Sequence, residues 1–440
     1  MRSSHTLDRL VTTFDDDRLV ADAGLLLPAT LAHHLGLREF VAKHLQLGRA
    51  AGRANAGDKL LTLLMSALAG GDCIDDSNAL RAGATARVLG FSVKAPSTLG
   101  TFLRSFRWGH VRQLDAVSRG LLARAWAAGA APAAGALTID LDSTLCETYG
   151  LAKQGGAAYT YARMRGYHPL LAVLAGSGEV LHARLRGGVA TSGRGAASFI
   201  AETVSRLRAA GADGPLVLRA DAGFYGHAVV EAARRAKANF SITVRSSAVM
   251  RRTIEELPEA AWRPIPGWPG AELAETSYIP FDQRPRPCAV RLIVRRVLLP
   301  EAAQLAFFAR YHHWAFITDR PGDAVVLEAD HRGHAEVENI IRELKYGVGL
   351  NHLPSGRFAA NAAWLAVQVM AHNLARWTSR IGLAEESFVT TKTLRRRLFA
   401  LVGRLTRSAR RLTVHLLARW PWRVSWAAAL GRLRAIPLLA

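Results

Sequence analysis

The stretch Ala136-Leu137-Thr138-Ile139-Asp140-Leu141-Asp142-Ser143-Thr144 decides the fold. It reads as a strand that ends in a carboxylate. Downstream, Leu170 to Leu174 and Val180 to Leu185 read as two further strands, with Gly176-Ser177-Gly178 as the turn between them. Ala196 to Ala210 is predicted to be a helix, Leu216 to Arg219 a short strand, Gly226 to Ala236 a helix and Phe240 to Val244 a strand. The order β-β-β-α-β-α-β predicts an α/β fold, a mixed sheet flanked by helices.

Upstream the chain reads as helical. Thr30 to Leu45 and Asp58 to Leu68 carry apolar residues at three-and-four spacing, with Asp58 as a cap for the second. Asp75 to Leu89 and Ser97 to Phe106, punctuated by Gly90 and Pro96, give a helix-turn-helix-like outline; a helical domain packed beside the main one has the same outline. Trp126 to Gly135 reads as a linker of Ala, Gly and Pro. Beyond the alternating region, Met250 to Arg310 breaks the rhythm with Pro264, Pro266, Trp268 and Pro269, followed by strand-like Ala289 to Leu298 and Leu305 to Ala309. This segment predicts a β-rich insertion. Trp314 to Thr318 returns as a strand, and Asp330 to Tyr346 and Phe358 to Arg380 read as helices. From Lys392 onward, Arg395, Arg396, Arg397, Arg404, Arg407, Arg410 and Arg411 lie among Leu, Val and Phe and predict a basic amphipathic helical tail.

Charge narrows the class of partner. The 440 residues carry 57 Lys+Arg against 35 Asp+Glu, a net +22, which calls for a polyanion such as nucleic acid or an anionic membrane surface. Cys73, Cys146 and Cys288 lie far apart, which excludes a disulfide framework and suits a reducing cytoplasm. The polar Met1 to Asp17 lacks the apolar core of a signal peptide, and Phe358 to Leu374 is interrupted by Asn361, Gln368, His372 and Asn373. A cytoplasmic protein with no membrane span is expected.

Three acidic positions belong together. Asp142 ends the first strand, Asp221 follows the strand Leu216 to Arg219, and Glu338 lies on a later helix that can pack across the same sheet edge. Two aspartates and a glutamate converging there can hold a pair of hard divalent cations through oxygen and cut a phosphodiester. Strand-end aspartates also cap turns, and helical glutamates commonly face water, so order along the chain carries the case. His331, His334, Glu338 and Lys345 are spaced to share one helix face, with Lys345 and the histidines directed at DNA and Arg342 beside them. Val337, Ile340, Ile341 and Leu344 form the core-facing stripe, while Glu336 and Glu343 are a rival pair on a solvated face. A zinc site at His331, His334 and Glu338 lacks a water-activating carboxylate motif. The loop Gly188 to Gly193 is followed by Arg194-Gly195 where a phosphate loop needs Lys and Ser/Thr, and nothing in the spacing joins Cys146 and His168 into a nucleophilic pair.

These residues resemble the DDE transposases of bacterial insertion sequences. The likeness is nearest to the insertion-sequence family numbered 1380, a relative of the branch with a Tyr-x2-Arg-x3-Glu-x6-Lys signature. It rests on Thr138 to Thr144, Leu218 to Tyr225, Val337-Glu338-Asn339 through Lys345, Leu353 to Trp364 and Gly71 to Asp76. The resemblance implies a ribonuclease-H-like core with Asp142, Asp221 and Glu338 as the metal-binding triad. Asp142 precedes the Ser-Thr pair as in the family pattern, with Asp140 as a supporting group or the ligand itself. Lys345 keeps its place in the signature; His331 and His334 stand where the pattern has Tyr and Arg. Two Mg²⁺ ions, or Mn²⁺ in their place, double-stranded DNA as transposon ends and target, a homodimer on DNA and a location at the bacterial nucleoid are implied with it. The corresponding division is 1–130 helical DNA-binding or dimerisation domain, 131–248 first part of the core, 249–312 β-rich insertion, 313–382 second part with the Glu helix, and 383–440 basic helical tail. The same fold without strand joining would be a nuclease, and without the triad's chemistry a DNA-binding descendant.

Overall fold

The sheet grows outward in both directions from the strand that carries Asp140 and Asp142. The computed structural model describes residues 7–48, 52–284, 287–299, 310–385 and 388–439. Its strands are β1 (Leu19–Val20), β2 (Leu137–Ser143), β3 (Cys146–Glu147), β4 (Gly166–Tyr167), β5 (Leu170–Leu174), β6 (Val180–Arg184), β7 (Leu216–Ala220) and β8 (Ala238–Thr243). They continue with β9 (Arg263–Pro264), β10 (Ala271–Tyr278), β11 (Val290–Leu298), β12 (Tyr311–Thr318), β13 (Gly403–Ser408) and β14 (Arg411–Leu416). One nine-stranded sheet runs in the order β6-β5-β2-β7-β8-β12-β11-β10-β9. Strands β2, β7 and β8 are parallel, joined by helical crossovers, and the flanking pairs are antiparallel. The expected mixed α/β sheet is therefore present.

The helices begin with α1 (Leu26–His34), α2 (Leu37–His44), α3 (Ala56–Ala69), α4 (Thr85–Val88), α5 (Pro96–Arg104) and α6 (Trp108–Ala125). Next come the crossovers α7 (Ala196–Ala209) and α8 (His227–Arg235), then α9 (Ala248–Glu255), α10 (Ala324–Arg332), α11 (Glu336–Arg342), α12 (Phe358–Trp377), α13 (Thr391–Leu394) and α14 (Arg423–Arg434). Helix α12 is buried almost throughout and packs on α3, α6 and β6, tying the N-terminal helices to the sheet. Several of its polar side chains bond inside the fold. Asn373 accepts from the Val180 amide and donates to the Val180 carbonyl, both at 2.9 Å, so the side chain extends the β6 edge. His372 meets the Gly178 carbonyl at 2.9 Å, and Asn361 donates to Tyr167 Oη at 3.0 Å. Among the described residues no helix is long and apolar enough to cross a membrane.

Glu179, fully buried, receives the indole N–H of Trp126 at 3.2 Å, the indole N–H of Trp377, and the Ser177 hydroxyl at 3.0 Å. Burial pushes its carboxyl above the usual carboxylate range, against the pull of those three donors. Glu179→Leu is expected to cost about 1–3 kcal/mol for each indole left without an acceptor. A chemical melt that matches the wild type would contradict this.

Within residues 249–312, β9, β10 and β11 extend the main sheet through β12, which pairs with β8. Other expectations need correction or lie beyond the described chain. The predicted strand Leu305 to Ala309 lies outside the described residues. The helix expected over Asp330 to Tyr346 is broken into α10, a 3-10 turn at Gly333–Ala335, α11 and a π turn at Glu343–Gly347. The helix-turn-helix outline is not formed, because Asp75–Arg81 is a 3-10 segment followed only by the four-residue α4. Helix α3 starts ahead of Asp58, whose carboxylate pairs instead with Arg38. The basic tail opens with α13 and a π turn at Arg395–Phe399 and continues as a β-hairpin, β13–β14, and then α14, rather than as one run of helix. It folds back onto the N-terminal part, with β13 pairing with β1 and α14 packing on α1.

Candidate active site

Register brings the two aspartates together. Strands β2 and β7 run parallel with Asp140 opposite Arg219 and Leu141 opposite Ala220. Asp142 and Asp221 therefore leave adjacent strands at the same level and the same end. Asp221 accepts from the Gly223 amide at 3.0 Å and caps the 3-10 turn Ala222–Phe224. A Cβ on Gly223 would lie 2.8 Å from Ser192, so glycine lets the 187–195 loop close on this turn. Glu338 sits exposed on α11, whose other side buries Val337 and Ile340.

Electrostatics tie the three carboxylates into one site. Burial first, and the negative charges of Asp221 and Glu338 after it, push the Asp142 carboxyl up from 3.8 to about 6. The Ser143 amide and His334 pull it the other way. A buried carboxylate facing two others is a site short of positive charge. Oxygen-only donors of this kind suit hard divalent cations. The ligand oxygens of these three carboxylates do not all lie within 4.8 Å of one another.

Asp140 points elsewhere. Its carboxylate receives both Nε and Nη2 of Arg219, at 2.6 and 2.8 Å, and meets His334 Nδ1 at 2.8 Å. The Asp140 and Arg219 side chains are only 2% and 4% exposed. Arg219 also donates to the Asp330 carbonyl, and a Cβ on Gly333 would press to 2.8 Å from its guanidinium. The 3-10 break at Gly333 thus admits the arginine, and Asp140 with Arg219 fixes the approach of α10 and α11 to the sheet. Two residues along β2 from the half-buried Asp142, Asp140 is already saturated by a bidentate partner.

His331, expected to be directed at DNA, is turned into the fold. Its ring nitrogens bond the hydroxyls of Ser241 and Thr243 at 2.8 and 2.9 Å, and the ring stacks on Phe316 at 4.2 Å. Burial, with nearby cations adding to it, pulls the imidazole down to about 3 and keeps it neutral. Segmentation of the helix is the physical reason: the 3-10 turn rotates α10 relative to α11, so the seven-residue spacing no longer defines one face. His334 remains at the site, held by Asp140. Arg342 is exposed and bonds Asn339 at 2.5 Å; Lys345 is half-buried with its charge near Cys146, whose thiol burial pushes up to about 12. Glu343 is not on a solvated face, since it accepts from the Thr391 amide at 2.7 Å.

Other groups at the edge were not singled out by sequence as part of this site. His168 bonds Ser143 Oγ at 2.9 Å and the Ala190 carbonyl at 2.6 Å, and Ser143 Oγ meets Ser192 Oγ at 3.0 Å. Arg186 shapes the same loop by donating to the carbonyls of His168, Thr191, Ser192 and Arg194 at 2.9–3.0 Å. The loop rejected as an ATP site is thus a wall of the carboxylate site. Arg219 had a readable signal: two residues before Asp221 on a strand, it shares that residue's face.

Two groups outside this carboxylate set have their ligand atoms within 4.8 Å of one another among the described residues: Asp72, Cys73 and Asp76, and Asp115, His182 and Glu202. In the second, Arg206 pairs with Asp115 at 3.0 Å, and Arg112 and Arg184 pair with Glu202 at 2.7 and 2.8 Å. Three guanidiniums already neutralise those carboxylates. In the first, the Asp76 carboxylate is occupied by the amides of Asp72 and Cys73.

The chain matches the family described as transposase DDE domain group 1 over residues 3–438. No curated protein matches it. Among solved structures it is similar to a piggyBac transposase synaptic complex with hairpin DNA, at 14% identity and a TM-score of 0.46, covering 87% of this chain and 80% of that one.

Proposed function

The chain belongs to the transposase DDE domain group 1 family and is a DDE-type transposase, and from that premise we propose that it serves a bacterial insertion sequence, of the family numbered 1380. It binds the element's terminal inverted repeats and cuts and rejoins DNA at Asp142, Asp221 and Glu338. The observation that carries this reading is the exit of Asp142 and Asp221 from adjacent parallel strands, with Glu338 within electrostatic reach. The strand order β6-β5-β2-β7-β8 supports a ribonuclease-H-like core.

Each residue has a part in this scheme. Asp142, Asp221 and Glu338 hold two Mg²⁺ ions, which supply Lewis acidity and an activated oxygen nucleophile when bound. Asp140, through Arg219 and His334, sets the distance of α11 from the sheet edge. Lys345 and Arg342 meet phosphates, and His334 lies beside Asp142. A homodimer pairs two ends at the nucleoid. The test is a labelled duplex carrying the element's ends, incubated with target plasmid and Mg²⁺. Products in which the ends are joined to the plasmid support the reading; cut but never joined ends would leave a nuclease.

Metal binding should depend on pH in a defined sense. With its pKa at about 6 instead of 3.8, Asp142 binds more protons in the folded metal-free chain than in the unfolded one between those values. Its contribution to stability is therefore lost as pH rises from about 4 through about 6, and a bound cation reverses that loss. Thermal melts are expected to show a larger rise on adding Mn²⁺ at about pH 8 than at about pH 5. Equal shifts at both would count against Asp142 as a ligand.

A further inference from the structure

The hairpin β13–β14 presents one face of the molecule to solvent in an ordered way. The register pairs Arg404 with His415, Thr406 with Thr413 and Ser408 with Arg411. Strand alternation puts these six residues on one face, and the 2.8 Å contact of Thr406 Oγ1 with His415 Nε2 spans it. The opposite face is apolar at its base, where Leu405, with Val414 and Leu416 against it, packs on Val20, Ala23 and Ala84. Only Gly403 and Arg404 pair with β1, so the distal half stands clear. Residues 407–412 are all exposed, and the tight turn has Ala409 in the left-handed region at φ 50°.

Most of the charge on this ribbon is not neutralised. Arg404 is paired with the half-buried Asp16 at 3.4 Å, while among the described residues Arg407, Arg410 and Arg411 have no carboxylate partner. A ribbon of six-residue strands is about 20 Å long, with its two strands about 5 Å apart and about 10 Å across with side chains. That section fits the roughly 12 Å major groove of B-DNA and exceeds the roughly 6 Å minor groove. The polar face carries the hydroxyls of Thr406, Ser408 and Thr413 beside the Arg411 guanidinium, while Arg407 alternates to the other face and Arg410 lies in the turn. Hydroxyls match base edges on a groove floor, and long guanidinium side chains match the phosphates that flank it.

We propose that the β13–β14 hairpin is a DNA-binding ribbon that lies in the major groove, with Thr406, Ser408 and Thr413 facing the bases and Arg407, Arg410 and Arg411 on phosphates. It rests on the transposase reading and adds to it the element that grips DNA away from the carboxylates. Its base is anchored on β1 and the N-terminal helices, so a duplex held there is fixed relative to the whole chain.

The test uses the full chain with Arg407→Ala, Arg410→Ala and Arg411→Ala combined, titrated against duplex DNA over a range of salt. These side chains are exposed, and an unchanged circular-dichroism melt checks the fold. The expected result is weaker binding, with the slope of log affinity against log salt reduced by about 3. Replacing guanine by 7-deazaguanine, which removes the N7 acceptor from the major groove, should weaken the wild type more than the triple variant. Wild-type affinity and slope in the triple variant, with the wild type still cutting, would overturn the ribbon while leaving the transposase. Sensitivity to the minor-groove ligand distamycin but not to 7-deazaguanine would overturn the groove assignment. Loss of binding to phosphatidylserine vesicles with DNA binding unchanged would assign the arginines to a membrane and overturn the proposal. A wild type that binds no duplex at all would remove both readings.

Discussion

Glu338→Gln is expected to reduce DNA cutting by roughly 10³-fold or more, the scale of removing one member of a catalytic unit, while leaving DNA binding intact. The substitution keeps the size of the side chain and removes its charge. Glu338 is exposed on α11, and the face that holds the helix in place, Val337 and Ile340, is untouched, so stability should not change. Removing one of the two carboxylates that raise Asp142 should also bring that group's pKa down towards its ordinary value. Filter binding and gel cleavage on the same preparation separate the two effects. Cutting within about tenfold of wild type would mean that Glu338 is not part of the site.

Asp140→Ala is expected to act chiefly through stability. It leaves the buried Arg219 guanidinium without its bidentate partner, and breaking a buried pair from one side costs about 3–5 kcal/mol. The double substitution Asp140→Leu with Arg219→Met should recover most of that loss, because two apolar side chains need no desolvated charge. The recovered chain should still cut poorly, since His334 loses the carboxylate that orients it; losses of about 10–100-fold are typical of such supporting groups. A stable Asp140→Ala chain with no measurable Mn²⁺ affinity would instead make Asp140 the ligand.

The sheet was legible because its strands are short apolar runs between glycine-rich turns, and the parallel trio needed only local pattern plus the crossover rule. Strand β10, Ala271–Tyr278, was not, because Ala-Glu-Leu-Ala-Glu has no β-branched signal. It is held by distant partners, with Glu272 paired to Arg296 and Glu275 to Arg291. The tail was misread for a related reason. Leucines and arginines have high helix propensity, yet Leu405 is buried, and Val414 half-buried, in a cluster with Val20, a residue almost 400 positions earlier. At the site, carboxylate order along the chain pointed to Asp142, Asp221 and Glu338. The choice between Asp140 and Asp142 rested on the family pattern, because the guanidinium that occupies Asp140 comes from another strand. The turn of His331 onto Ser241 and Thr243 likewise depends on a 3-10 break that spacing alone does not reveal.

The most direct measurement of the central claim is anomalous scattering from crystals of the chain soaked in Mn²⁺. The account predicts density for two ions bounded by Asp142, Asp221 and Glu338, lost in Glu338→Gln crystals together with cutting. Ions bound instead at Asp72, Cys73 and Asp76, or no ordered ion at the three carboxylates in a preparation that cuts DNA, would contradict it.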